Sequence, residues 1–133
     1  MCIRDRYHGY TYSGHPVSAA VAMATLDIYE EENLFNSALA LEVHWQEALH
    51  SLKDLELVKD IRNLGLIGSV ELYSGDNVGD RGKQVFNNCF WNENTLVRAI
   101  GDTIAMSPPL IINPSQIDQL VTALRNSILK LTP

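Results

Sequence analysis

From Val17 to Leu52 apolar residues return at every third or fourth position: Val17, Ala20, Val21, Ala24, Ile28, then Leu34, Ala38, Leu41, Trp45, Ala48 and Leu52. That spacing gathers them on one side of an α-helix, so the first part of the chain is committed to helix. Pro16 suits the first helical position, where its missing N–H would be unpaired anyway, and Gly14 lets the chain turn sharply before it. Around Glu30-Glu31-Glu32-Asn33 four polar residues break the stripe. Asn tolerates the left-handed conformation that ends a helix, so the spacing predicts two consecutive helices with a solvated acidic end between them.

Beyond Leu52 the period changes. Leu57 to Ile61 and Leu66 to Tyr73 are short β-prone runs joined through Asn63-Leu64-Gly65, and they read as paired strands. Ser74-Gly75-Asp76-Asn77 is a turn cluster. Val85, Phe86, Cys89 and Phe90 then give an amphipathic helix that ends near Asn92-Glu93-Asn94. Leu96 to Ile100 and Thr103 to Ser107 flank Gly101-Asp102, a two-residue hairpin loop whose glycine can take a positive φ. Pro108-Pro109 stops that strand, and Asn113-Pro114-Ser115-Gln116 opens a last helix with an N-cap, a proline and a Gln able to reach back. Ile117, Leu120, Val121, Leu124, Ile128 and Leu131 share its apolar face. The order helix, helix, strand, strand, helix, strand, strand, helix implies an α+β fold, a small mainly antiparallel sheet covered by helices.

At 133 residues the chain has room for one compact domain with a real core, but not for a deep two-lobed enzyme. A net charge of −6 excludes an electrostatic footprint for nucleic acid or anionic lipid. The apolar stretches fall short of the ~20 residues of a membrane span. Cys2 and Cys89 lack a paired spacing and fit a reducing compartment, and with no signal peptide apparent the expected location is cytoplasmic. His8, His15, His44 and His50 show no metal-ligand spacing. Residues 1–6 have no periodicity and join abruptly to the segment that begins at Tyr7; they resemble translated adapter sequence and are read as a non-native head.

The densest polar and glycine-containing segment is Tyr7-His8-Gly9-Tyr10-Thr11-Tyr12-Ser13-Gly14-His15-Pro16, leading straight into a helix N-terminus. Hydroxyls and backbone N–H groups at such a place can hold a phosphate, and a turn that merely caps the helix explains the same residues. Arg98, in the strand before the hairpin, offers a planar guanidinium that can grip a carboxylate through two parallel hydrogen bonds. An arginine on a strand can equally be a surface ion-pair partner.

Three segments together carry a resemblance. Residues 8–16, followed by the Ala-rich Val17-Ser-Ala-Ala-Val-Ala-Met-Ala-Thr-Leu26, resemble a diagnostic stretch of the class III aminotransferases. Asp60-Ile-Arg-Asn-Leu-Gly-Leu66 with Gly68 and Glu71-Leu72 resembles the strand-turn-strand of that family's small domain. Leu96-Val-Arg-Ala-Ile-Gly-Asp102 and Ser107-Pro-Pro-Leu-Ile111 resemble its omega-amino acid:pyruvate branch. The resemblance runs from Tyr7 to about Leu131.

It implies the small C-terminal domain of the fold type I transferases dependent on pyridoxal 5'-phosphate (PLP), with residues 7–32 a cofactor-proximal loop and interdomain helix and 33–133 the small domain. It also implies that Thr11, with Tyr10 beside it, contacts the PLP phosphate of the neighbouring subunit in a homodimer. Arg98 would then hold the carboxylate of pyruvate or an amino-acid substrate. No metal is implied, and no nucleic-acid or membrane partner. In the family the Schiff-base lysine lies upstream of the first motif, and Lys53, Lys59, Lys83 and Lys130 stand in no such context. The parent is thus expected to be a transaminase and this chain alone inactive. Two other readings stay open at this point: another PLP reaction on the same scaffold (aminomutase, racemase or lyase), and a non-catalytic interaction domain.

Overall fold

The structure, a computed structural model, describes residues 11–131. Contacts divide the chain into two compact units between Leu34 and Phe35. The first contains helix α1, Pro16–Glu31, entered through Gly14 at φ 76°. Pro16 occupies the first turn as expected, and the N-cap is His15, whose side chain accepts from the Ser18 N–H. No residue of α1 is buried. Asn33 takes φ 52°, the left-handed conformation anticipated between the two helices.

The second unit contains helix α2, Leu34–His50, a single 3-10 turn at Ser51–Asp54, strands β1 (Val58–Leu64) and β2 (Ile67–Leu72), helix α3 (Asp80–Asn92), strands β3 (Arg98–Ile100) and β4 (Thr103–Met106), and helix α4 (Pro114–Leu129). The sheet order is β1-β2-β4-β3, with every neighbouring pair antiparallel. This is the α+β layer that the change of period predicts. Several boundaries differ: β3 begins at Arg98 rather than Leu96, and a 3-10 turn takes Ser51–Asp54 where the helical spacing ran on to Leu52. The largest difference is at the first hairpin. Asn63 and Leu64, expected in the first turn, lie in β1 opposite Gly68 and Ile67, and the turn moves to Gly65-Leu66 with Gly65 at φ 54°. The ladder satisfies two more residues than the turn-forming tendency of Asn suggests.

One face of the sheet sends Ile61, Val70, Leu72, Val97, Ile104 and Met106 into a core completed by Trp45 and Leu49 of α2, Val85 and Cys89 of α3, and Ile117, Val121, Leu124 and Ile128 of α4. Gly68 makes the seating of α2 possible: a Cβ there would lie 2.6 Å from Leu49 Cδ2 and 2.8 Å from Trp45 Cζ2. Helix α4 begins with the full capping box, Asn113 Oδ1 accepting from the Gln116 N–H and Gln116 Oε1 accepting from the Asn113 N–H, each at 3.0 Å. Cys89 is a buried thiol that donates to Ser127 Oγ, and burial pushes its pKa up. Among the described residues no helix is long and apolar enough to cross a membrane.

Candidate functional site

Thr11 is exposed in the turn that precedes α1. At the end of α1 the His15 side chain accepts from the Ser18 N–H at 3.4 Å. Tyr10 lies outside the described residues, as do His8 and the six-residue head. The other histidines have structural partners: His44 Nε2 meets Asp118 Oδ1 at 2.9 Å and His50 Nε2 meets Asn63 Oδ1 at 2.9 Å.

Arg98 belongs to the second unit. It opens β3, an edge strand of three residues, opposite Ala105 of β4. In β3 the exposures run exposed, half-buried, exposed, so Arg98 and Ile100 share the open side while Ala99 packs against the core. Arg98 borders an open hollow of about 620 Å³ walled by Leu96, Met106, Pro108, Gln116 and Gln119. With Lys83 it also borders a second of about 400 Å³. The pairing of the other cations is informative. Lys59 pairs with Glu71, Arg62 with Asp60 and Glu71, Arg125 with Asp54, and Lys130 with Glu93. Arg81 donates to the carbonyl of Tyr73 at 2.8 Å. Arg98, like Lys53 and Lys83, has no carboxylate partner among the described residues.

The residue that sequence reasoning passed over is Asp102, seen there only as half of a hairpin loop. The residue is 7% exposed, and its carboxylate accepts from Ser74 Oγ at 2.8 Å, the Gly79 N–H at 2.8 Å and the Gly82 N–H at 3.1 Å. Burial alone would raise its pKa, but the Gly79, Ser74 and Gly82 donors outweigh that and hold it below the usual carboxylate range. The backbone carbonyl of Asp102 accepts from the Leu72 N–H of β2 at 2.9 Å. Gly82 packs so tightly on the same loop that a Cβ would fall 2.0 Å from the Gly101 carbonyl oxygen. The available signal was the glycine in the first turn of α3; its partner is 20 residues away and no local pattern names it.

A family model described as Aminotransferase class-III matches residues 2–128. An omega-aminotransferase from Caulobacter vibrioides is 47% identical over 122 residues, 91% of this chain and 28% of its own length. A putrescine–pyruvate aminotransferase from Pseudomonas aeruginosa is 40% identical over 133 residues, 92% of this chain and 28% of its own. A solved transaminase described with L-ala superposes with a TM-score of 0.86 at 38% identity, over 92% of this chain and 30% of that one. The chain therefore spans less than a third of the relatives it matches. By family model, sequence identity and fold, it belongs to the class III aminotransferases.

Proposed function

We propose that the complete polypeptide containing this chain moves an amino group from an omega-amino acid or amine to pyruvate, with PLP as its cofactor. The observation that carries this reading is Arg98: an exposed residue beside a hollow, with no carboxylate partner among the described residues. Pyruvate has little else by which it can be held, and a bidentate charge-assisted pair fixes both its position and its orientation. The pairing of putrescine with pyruvate in the name of one relative supports the choice of acceptor.

Thr11 is exposed and stands in a segment, residues 7–16, without Asp or Glu, so its hydroxyl suits a phosphate oxygen. It would hold PLP across the boundary between two subunits, with Tyr10 next to it. When bound, the cofactor supplies the electron sink and holds the amino group between the two half-reactions. This chain is inactive by itself in our reading, because none of its lysines is suited to bind the cofactor covalently. That role needs a neutral amine. Lys59 and Lys130 are instead ammonium partners of Glu71 at 2.6 Å and Glu93 at 2.8 Å, and the Glu71 hydrogen bond pushes the Lys59 pKa up. Lys53 and Lys83 are exposed.

The test is Arg98→Ala in the complete enzyme, with the two half-reactions followed separately in single turnovers. Losing a bidentate pair should cost pyruvate about 2–4 kcal/mol, roughly 30- to 1,000-fold in the efficiency of its half-reaction. A plain aryl amine never makes that contact and should lose far less. Equal loss in both half-reactions, or none in either, would make Arg98 a structural residue and remove the support for pyruvate.

A further inference from the structure

Arg98 sits on an element with little to hold it. Strand β3 has three residues, lies at the sheet edge, and pairs only with β4 through Arg98–Ala105, Ala99–Ile104 and Ile100–Thr103. Edge strands this short fray, because each end is one or two hydrogen bonds from solvent. A guanidinium that must meet a carboxylate through two bonds at once tolerates little movement of its Cα. Something has to fix the hairpin, and the loop itself is where it is fixed. Gly101, at φ 57°, turns the chain so that the Asp102 carboxylate points back under the first turn of α3. Three donors from two segments converge on it, while its backbone ties the loop to the end of β2. Gly82 also lets the loop approach α3 closely, since a Cβ there would fall 2.0 Å from the Gly101 carbonyl oxygen.

We propose that Asp102 is a positioning residue for Arg98: its buried carboxylate locks the β3–β4 hairpin to the N-terminus of α3 and so holds the edge strand in the place where the guanidinium can make both bonds to a substrate carboxylate. The inference rests on the carboxylate-binding role proposed for Arg98. Asp102 itself touches no substrate in this reading. Its effect passes through the loop Gly101-Asp102 and the strand that Arg98 begins. A net charge on the carboxylate matters because all three partners are donors; an amide in its place would turn an NH2 toward an N–H and give up at least one of them.

The experiment is Asp102→Asn in the complete enzyme, with Arg98→Ala and the double variant measured beside it. In D102N the KM for pyruvate should rise at least tenfold, while kcat with a plain aryl amine donor at saturating pyruvate changes less than threefold. In the double variant, D102N should add less than twofold to the KM of R98A, since there is no guanidinium left to position. Ser74→Ala, which removes one of the three donors, should move pyruvate KM in the same direction by about two- to fivefold, and it decides the matter if D102N fails to fold. A loss spread evenly over KM and kcat, full additivity in the double variant, or an unchanged pyruvate KM in folded D102N would each overturn the positioning role. If R98A leaves pyruvate KM unchanged, the carboxylate reading of Arg98 fails first. If R98A raises it and neither D102N nor S74A does, the positioning role alone fails.

Discussion

At the scale of single residues, what a side chain can do here is set by what already holds it. Most of the described cations that meet a carboxylate are exposed and bring little stability, since such surface pairs contribute at most ~1 kcal/mol. Their consequence is chemical. A lysine held in an ion pair is a poor nucleophile toward an aldehyde, and an exposed lysine outside any binding site attacks it only transiently. Incubating this chain with PLP and then borohydride should therefore leave no stoichiometric label on Lys53, Lys59, Lys83 or Lys130 by peptide mass spectrometry. A single lysine labelled to completion, with a matching stable absorbance band, would contradict the reading that none of the four is suited to bind the cofactor covalently. Arg98 was legible in the sequence as a candidate, but not its freedom from a partner, which depends on what the fold brings near it. Asp102 was not legible as a hub at all. Its donors come from Ser74, Gly79 and Gly82, and only the packing of α3 on the hairpin brings them together.

At the scale of elements, periodicity and capping were enough to place each helix and both hairpins. The capping box at Asn113 and the positive φ at Gly101 are local chemistry, and local chemistry is what a sequence displays. The exit of β1 was misplaced for the converse reason: pairing with β2 is a nonlocal contact, and it carried Asn63 and Leu64 into the ladder against their turn tendency. The seating of α2 on β2 is equally nonlocal. Gly68 gives no sign in the sequence that a tryptophan rests on it, yet a methyl group there would collide with Leu49 and Trp45 at 2.6 and 2.8 Å. Both neighbours are fully buried, so neither can move into solvent to make room. Gly68→Ala is expected to destabilise the second unit by about 1–3 kcal/mol, as overpacking of a filled core does. Urea unfolding followed through Trp45 would measure it, and a variant as stable as the original would show that α2 seats more loosely than the structure has it.

At the scale of the whole molecule, the difference between the two units is one of burial. The second unit has a core drawn from three strands and three helices, with Ala99 of β3 packed against it. The first has helix α1, whose Val17, Val21, Met23, Leu26 and Ile28 are between 46% and 65% exposed. Val17, Val21 and Ile28, with Ala20 and Ala24, carry the three-and-four spacing of a helix face that packs, Met23 and Leu26 lie off that face, and none of them is buried. Apolar area costs about 25 cal/mol per Å² in water, and contiguous stripes of it seek cover. The 133-residue chain in isolation should bind a hydrophobic dye and self-associate as its concentration rises. Sedimentation velocity and dye fluorescence test this together. Replacing Val21 and Leu26 by Glu should lower both signals while leaving the urea midpoint of the second unit within error, because neither residue belongs to the core. A monodisperse monomer without dye binding would mean that α1 finds cover within the chain. A shifted midpoint in the double Glu variant would mean that this cover lies on the second unit, and the separation of the chain into two independently packed parts would have to be given up.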